Sequence, residues 1–229
     1  METEILDLQT TGGPTRAHVA LPAEADTTTR AAANAAVILI QEWWGINDHI
    51  RDLVGRYARQ GFLCVAPDLY RGKLARDAEE ASRFMHELAI EDGLDTIRRT
   101  LSEVESRYGV TRVGITGYCM GGTFALRAAC EINRLAASAP FYGDIPEEEI
   151  LAQLSVPTLF IAGKRDNWIN PEKVKGLEDA ARRHGLPVEV VSYDADHAFF
   201  NDTRPEVYNP GAATDAWRRV LAHFREHLG

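Results

Sequence analysis

A cysteine lies at the centre of a glycine-flanked motif that could perform nucleophilic chemistry. The segment 117–122 reads Gly-Tyr-Cys-Met-Gly-Gly; it follows an apolar run at 113–116 and precedes a segment with helical periodicity. A strand that turns sharply into a helix exposes the residue at its apex, and glycines two positions to either side allow the close approach of the chain. This pattern predicts that Cys119 is a nucleophile, in the place that serine usually occupies in such a turn.

The same turn would give Cys119 surroundings suited to attack on a carbonyl. The amide of Met120 would face a developing oxyanion from the N-terminus of the next helix, and that position favours a thiolate over a thiol. The alternative is an inert buried thiol, the usual state of a free cysteine. That alternative fits Cys64, which lies in the apolar segment 62–66, and Cys130, which lies in the helix expected after the elbow.

Strand and helix patterns alternate along the chain and predict where other reactive residues lie. This alternation is typical of an α/β fold with a mostly parallel central sheet, helices on both faces and ligand sites at the carboxyl ends of strands. We expect one domain over residues 1–229, with a surface loop or hairpin tip at 24–34. Strands are predicted at 15–21, 37–40, 62–66, 113–116, 136–142, 158–162 and 188–193, and helices at about 47–61, 77–88, 94–108, 146–154, 171–184 and 212–227.

Two groups that could assist a nucleophile follow later strands. Asp166 comes after the strand at 158–162 and His197 after the strand at 188–193, which gives the order nucleophile, acid, histidine. Asp166 would orient the imidazole, and His197 would act as the base. Asp166 could instead form a turn, and Asp194 and Asp196 are competing partners, although their closeness to His197 in sequence makes a well-aimed bond to Nδ1 harder.

A carboxylate follows the strand predicted at 37–40. Glu42 would lie in the same cleft, and the amide of Trp43 could complete an oxyanion hole with the amide of Met120. A carboxylate in a largely apolar site is costly unless it is paired. This cost favours a functional role for Glu42 over the alternative, an exposed strand end.

The composition argues against several classes of function. A formal net charge of −9 without clustered bases disfavours binding to nucleic acid or to a membrane surface. No segment reaches transmembrane length and the acidic start does not resemble a signal peptide, so we expect a cytoplasmic protein. His223 and His227 have the i, i+4 spacing of metal ligands but lack a third ligand, so neither a metal nor another cofactor is predicted.

Five segments, taken together, resemble the dienelactone hydrolase (carboxymethylenebutenolidase) family over nearly the whole chain. They are Gln-Glu-Trp-Trp-Gly at 41–45, Ala-Pro-Asp-Leu-Tyr at 66–70, Gly-Ile-Thr-Gly-Tyr-Cys-Met-Gly-Gly at 114–122, Phe-Tyr-Gly at 141–143 and Asp-His-Ala-Phe-Phe at 196–200. The resemblance implies the α/β-hydrolase fold and a catalytic triad of Cys119, Asp166 and His197. It also implies that Glu42 pairs with the resting thiol and accepts its proton when substrate binds.

The substrate pocket departs from the pattern of the family that the chain resembles. The family prototype holds a substrate carboxylate between two arginines, one of them four residues after the catalytic histidine, where this chain has Asn201. Arg204 could replace it, while Arg71, Arg76 and Arg83 are all available for the second position. We therefore expect hydrolysis of an enol-lactone or small ester through a thioester, with a general carboxylesterase acting on neutral esters as the alternative.

Aromatic residues near the motifs could contact a small-molecule substrate, although aromatic residues have an equally plausible role in the core. A redox-sensing thiol protein that uses Cys119 is a second possible class, and a non-catalytic ligand-binding protein is a third. The sequence does not indicate an oligomeric state, and a monomer is compatible with it. The residues that could bind substrate are Trp44, Tyr118, Phe199, Asn201 and Arg204.

Overall fold

The chain folds around an eight-stranded, mostly parallel sheet with the strand order β1-β2-β4-β3-β5-β6-β7-β8. The structure, a computed structural model, describes residues 2–22 and 35–229, so the loop predicted at 24–34 lies outside the described residues. The strands are β1 (Glu2–Thr10), β2 (Gly13–Leu21), β3 (Ala35–Ile40), β4 (Leu63–Pro67), β5 (Arg112–Tyr118), β6 (Ala137–Phe141), β7 (Thr158–Gly163) and β8 (Val188–Tyr193). This architecture confirms the predicted α/β-hydrolase class.

Helices alternate with the strands after β3, as the sequence pattern predicts. Those in the described residues are α1 (Asp48–Arg59), α2 (Ala78–Glu87), α3 (Ile90–Tyr108), α4 (Met120–Glu131), α5 (Glu148–Leu151), α6 (Pro171–His184) and α7 (Pro210–Leu228). In the described part of the chain, no helix is both long enough and apolar enough to cross a membrane.

The chain divides into two compact units, Met1–Gly114 with Leu228–Gly229 and Ile115–His227. In the first unit, β2 pairs in antiparallel fashion with β1 and β4, while β3 and β4 run parallel. In the second unit, β7 lies between β6 and β8 and is parallel to both. The single domain expected from the length of the chain stays a prediction.

Local sequence signals account for the bounds of the helices in the first unit. Every residue of β3 is buried, as expected for a parallel strand covered on both faces. Asn47 caps α1 by accepting a hydrogen bond from the amide of Ile50 at 3.1 Å. Helix α3 ends at Gly109, which adopts the left-handed conformation typical of a helix C-terminus.

The same signals operate in the second unit. Asn170 caps α6 by accepting from the amide of Lys173 at 2.9 Å, Pro171 occupies the first turn, and Gly185 ends the helix with φ +64°. All six residues of β7 are buried. Asp166 lies just beyond the end of this strand, so the surrounding core restricts where its side chain can be.

The strand β1 was not among the predicted elements. Only Leu6 and Leu8 are buried along its nine residues, and most of the others are exposed. An edge strand with a short apolar stripe gives little hydrophobic periodicity, because only one face packs on the core. Its partner β2 (Gly13–Leu21) includes the strand predicted at 15–21.

Candidate active site

Cys119 occupies the apex of a sharp turn between β5 and α4. Its backbone has φ +56° and ψ −118°, a conformation that is rare for a residue with a side chain. Such a conformation costs about 1–3 kcal/mol and persists where the surrounding structure imposes it, often at a functional site. This is the geometry of a nucleophile elbow, which the glycine pattern predicted.

Two glycines make the elbow sterically possible. A Cβ atom on Gly117 would lie 2.2 Å from the carbonyl oxygen of Gly121, and a Cβ on Gly122 would lie 2.3 Å from the carbonyl oxygen of Phe141. Both obstacles are backbone atoms, which cannot rotate away as a flexible side chain could. The first turn of α4 therefore packs directly on the end of β6 because Gly122 has no side chain.

We expect Gly122→Ala to destabilise the protein by about 1–3 kcal/mol or more, because the new methyl group overpacks against fixed backbone. Gly176→Ala is a matched control, since Gly176 also lies in a helix and its Cβ would meet nothing within 4 Å. That control should gain about 0.5–1 kcal/mol, the usual benefit of alanine over glycine in a helix. Urea unfolding measures both variants, and equal stability would refute the steric role of Gly122.

Hydrogen bonds fix the elbow to β6 and to α4. The amide of Cys119 donates to the carbonyl oxygen of Phe141 at 3.1 Å, and the amide of Thr123 donates to the carbonyl oxygen of Cys119 at 3.1 Å. The hydroxyl of Thr123 accepts from the amide of Asp144 at 2.8 Å. The strained backbone of Cys119 is thus held from both sides of the turn.

Asp166, which is buried, and His197, which is partly exposed, form a close pair within the same unit. His197 Nδ1 lies 2.6 Å from Asp166 Oδ2, and the side chain of Asp166 is completely buried. The second oxygen, Oδ1, accepts from the amides of Trp168 at 2.7 Å and Ile169 at 2.9 Å. The carboxylate therefore has partners on both oxygens and can fix the orientation of the imidazole.

The pKa of Asp166 reflects two opposing effects. Burial by itself raises the pKa of this carboxyl group, but the hydrogen bond and positive charge of His197, with the amides of Ile169 and Trp168, together lower it below the usual value. Asp166 is therefore ionised at neutral pH and can accept a hydrogen bond from Nδ1–H of His197.

Arg165 forms ion pairs with both aspartates that the sequence analysis considered as alternative partners of His197. Its guanidinium group pairs with Asp194 and contacts Asp196 at 3.1 Å. The amide of Arg165 also donates to the carbonyl oxygen of Ala195 at 3.0 Å. The loop after β7 is thus bound to the loop after β8, and Asp166 is the carboxylate that contacts His197.

Two aromatic rings flank the imidazole of His197. The ring of Tyr142 lies 5.0 Å from it and that of Trp168 lies 5.3 Å from it, between centroids. Tyr142 is buried and has φ +37°, which is unusual for a bulky residue. Nε2 of His197 has no hydrogen-bond partner among the described residues, so it is available for proton transfer.

The sequence analysis did not identify Tyr142 and Trp168 as site residues. Tyr142 stands within the Phe-Tyr-Gly segment, which was noted only as part of the resemblance. Trp168 lies two positions after Asp166. This closeness to the predicted acid was the signal that could have indicated Trp168. The contact of both rings with the imidazole depends on long-range packing, which local patterns do not report.

The two aromatic residues of the second unit that were predicted to contact substrate, Tyr118 and Phe199, lie in the core. Tyr118 is fully buried, with its ring 4.6 Å from that of Phe141 and 5.2 Å from that of Phe200, and Phe199 is also fully buried. These rings pack in the core, and their contact with a substrate stays a prediction.

The polar candidates for substrate contact have partners within their own loop. Asn201 is buried and its Oδ1 accepts from the amide of Thr203 at 3.0 Å and from its hydroxyl at 2.6 Å. Arg204 pairs with Glu206 at 2.7 Å. Both contacts stabilise the segment after His197, and a role in substrate binding is still a prediction for each residue.

Glu42, Trp43 and Trp44 belong to the first unit and follow β3. Glu42 is only 2% exposed, so the alternative of an exposed strand end is wrong for this residue. The carbonyl oxygen of Glu42 accepts from the amide of Gly45 at 3.2 Å, which forms a tight turn. The two indole rings pack edge to face with centroids 5.2 Å apart. The catalytic roles predicted for Glu42 and Trp43 stay predictions.

The three arginines after the Asp-Leu-Tyr segment each pair with a carboxylate. Arg71 binds Asp92 through two hydrogen bonds of 2.7 and 2.9 Å. Arg76 and Arg83 both contact Glu80, at 3.0 and 3.2 Å. Each arginine that could have served as the second carboxylate-binding residue thus already contacts an acidic side chain of the protein.

All three cysteines are buried free thiols. Burial raises the pKa of the Cys130 thiol to about 12, with a smaller contribution from the charge of Glu131. Burial also raises the pKa of the Cys64 thiol far above its usual value. Both are therefore uncharged, unreactive core residues. Residues 2–22 and 35–229 contain no group of three or more histidine, cysteine or acidic side chains that could hold a metal ion.

Comparisons with known proteins agree with the fold. A profile of the Dienelactone hydrolase family matches residues 21–228. Protein usf of Aquifex pyrophilus is 36% identical over 203 residues, which are 84% of this chain and 88% of that protein. A protein of Aquifex aeolicus, whose name provisionally assigns it as a carboxymethylenebutenolidase, is 33% identical over 86% of this chain and 90% of its own length.

A solved structure from Klebsiella pneumoniae, provisionally described as a dienelactone hydrolase, superposes on this chain with a TM-score of 0.87. The two sequences are 29% identical, and the match covers 99% of this chain and 100% of that one. The structural similarity therefore covers nearly the whole chain.

Proposed function

Because the chain belongs to the dienelactone hydrolase family, we propose that it is a cysteine hydrolase that cleaves small carboxylic esters or lactones through a thioester intermediate. The observation that carries the proposal is the pairing of Asp166 with His197 at 2.6 Å in the same unit as the strained elbow at Cys119. A buried acid, an oriented imidazole and an apex thiol are the parts that acyl transfer by a thiol requires.

The first proposed step is attack by Cys119 on the ester carbonyl. Cys119, as a thiolate paired with protonated His197, forms a tetrahedral intermediate whose oxyanion accepts hydrogen bonds from backbone amides. Met120 is the first residue of α4, and its amide is one such donor. The motif order supports the amide of Trp43 as the second. Asp166 holds the imidazole in the tautomer that leaves Nε2 as the working nitrogen.

The intermediate then collapses to a thioester as the alcohol leaves. Nε2–H of His197 protonates the leaving oxygen, and the same nitrogen later removes a proton from the water that hydrolyses the thioester. The carboxylate of Glu42, which the Gln-Glu-Trp-Trp-Gly motif supports as the partner of the resting thiol, accepts the thiol proton when substrate binds and returns it to Cys119 after the thioester is hydrolysed. The proton that His197 gives to the leaving oxygen and recovers from water is a separate one. A good leaving group suits this chemistry, because a thiolate is itself expelled readily from a tetrahedral intermediate.

The pairing of the arginines supports a neutral substrate over an anionic lactone. Arg71, Arg76, Arg83 and Arg204 each contact a carboxylate of the protein. Asn201, at the position of an arginine in the family prototype, supplies no positive charge. A substrate carboxylate would therefore lose the bidentate arginine contact that selects it.

We expect the enzyme to hydrolyse p-nitrophenyl acetate with a higher kcat/KM than an anionic dienelactone. The preference should be about tenfold or more, because a charged hydrogen bond contributes about 1.5–3 kcal/mol. Steady-state kinetics on both substrates, with wild type and Arg204→Ala, measure it. Arg204→Ala should leave the ratio unchanged within about twofold. A strong preference for the dienelactone that Arg204→Ala abolishes would contradict the neutral substrate and assign carboxylate binding to Arg204.

A redox-sensing thiol protein is the second candidate function, and the same kinetics distinguish it. Cys64 and Cys130 are buried with strongly raised pKa values, so neither is suited to resolve an oxidised Cys119. Ester turnover that requires Cys119 supports the hydrolase. Reversible oxidation of Cys119 without ester turnover would support the sensor instead.

A further inference from the structure

Trp168 combines an exposed indole with contact to His197. Half of its surface is accessible, and its ring centroid lies 5.3 Å from that of the imidazole at an interplanar angle of 53°. Among the described residues of the second unit, it is the only large apolar side chain that is exposed. Single exposed apolar residues are common, but this one lies against the histidine that the proposed reaction uses.

The backbone of Trp168 is fixed by the same carboxylate that orients the imidazole. Its amide donates to Asp166 Oδ1 at 2.7 Å, and the amide of Ile169 donates to the same oxygen at 2.9 Å. Ile169 is only 4% exposed and anchors the next residue in the core. The backbone from which the indole extends is therefore held beside the carboxylate that contacts His197.

The two rings beside His197 differ in what they can offer a substrate. Tyr142 is 1% exposed, so its ring supports the imidazole from within the protein. Trp168 presents an accessible apolar surface at the same imidazole. Nε2 of His197 has no hydrogen-bond partner among the described residues, and in the proposed reaction this atom protonates the leaving oxygen. A group bonded to that oxygen would lie beside an imidazole whose centroid is 5.3 Å from that of the indole.

We infer that Trp168 is a specificity-determining residue that contacts the leaving group of the ester and favours flat aromatic leaving groups over non-planar ones. The inference rests on the proposed function, because it assumes that His197 acts at the leaving oxygen. Aromatic rings attract one another in stacked or edge-to-face arrangements in addition to the burial of apolar surface. The contact forms with the leaving group alone, so it discriminates between esters that share the same acyl group.

The test compares phenyl acetate with hexafluoroisopropyl acetate. The two esters share the acetyl group and have leaving groups of comparable acidity, but only phenol is flat and aromatic. Trp168→Ala should lower kcat/KM for phenyl acetate by about tenfold, within the range known for the loss of an apolar pocket contact. Its kcat/KM for hexafluoroisopropyl acetate should change by less than about threefold. Trp168→Phe, which retains an aromatic ring, should keep most of the preference.

Several controls separate the possible outcomes. Ile90→Ala removes another exposed apolar side chain, on α3, and should alter neither ester. An equal loss for both esters in Trp168→Ala and Trp168→Phe would overturn the inference, because Trp168 would then act only by positioning His197. If the wild type hydrolyses neither ester, the proposed function fails and the inference fails with it. If the wild type hydrolyses both esters and Trp168→Ala does not change the ratio of their kcat/KM values, the inference is refuted and the proposed function stands.

Discussion

Cys119→Ala is expected to reduce ester hydrolysis by a factor of roughly 10⁴ or more, as the removal of a catalytic nucleophile does in related triads. Cys119 is the residue in the strained elbow, and an alanine has no group that can form the acyl-enzyme. Alanine is smaller than cysteine, and it adopts the positive φ of this position no less readily than cysteine does. The fold should therefore be retained. Steady-state rates and circular dichroism of both proteins measure the effect.

Two variants serve as controls for Cys119→Ala. Cys64→Ala removes a buried thiol of raised pKa and should retain the catalytic mechanism if the variant folds. Cys119→Ser should also be a poor enzyme, since a serine hydroxyl is much harder to ionise than a thiol in a site arranged for a thiolate. Wild-type rates in Cys119→Ala would reject Cys119 as the nucleophile.

Asp166→Asn is expected to lower kcat by roughly 10³–10⁴. The amide oxygen of asparagine can still accept from the amides of Trp168 and Ile169, which places its NH₂ group opposite Nδ1 of His197. Nδ1 must then accept a hydrogen bond, so the ring proton moves to Nε2 and the neutral imidazole can no longer act as a base there. Rate measurements with substrate at saturation report the loss directly.

The pH dependence of stability gives a second measurement for Asp166→Asn. The pKa of Asp166 is lowered in the folded protein, so its charge contributes stability that is complete above the unfolded pKa, about 4, and is lost as the pH falls through the folded pKa. The Asp166→Asn variant would lack this contribution at every pH, and the difference in unfolding free energy between the two proteins should shrink on acidification. A difference that stays constant with pH would contradict the ionised, paired state of Asp166.

The elbow and the Asp166–His197 pair could be predicted because each depends on short sequence signals. Glycines flank Cys119, and the other two residues come within a few positions of apolar runs that became β7 and β8. The carboxyl ends of parallel strands lie along one edge of a sheet, so residues that follow such runs are brought near one another without any knowledge of the loops.

Other features depend on contacts that no local pattern records. The indole of Trp168 approaches His197 from a separate loop, and Arg165 reaches Asp194 and Asp196 from the same one. Arg71, one of the arginines available in the sequence for binding a carboxylate, pairs with Asp92 on α3, a partner that the sequence does not indicate. Partner choice of this kind follows from tertiary packing, which explains why the sequence alone left the substrate open.

Mass spectrometry of the protein during turnover of p-nitrophenyl acetate tests the central claim most directly. The wild type, quenched in acid within the burst phase, should carry one acetyl group on the peptide that contains Cys119, and hydroxylamine should remove it as expected for a thioester. Cys119→Ala should carry none. An acetyl group on another residue, or full turnover in protein that never becomes acetylated at Cys119, would contradict a thioester mechanism at this elbow.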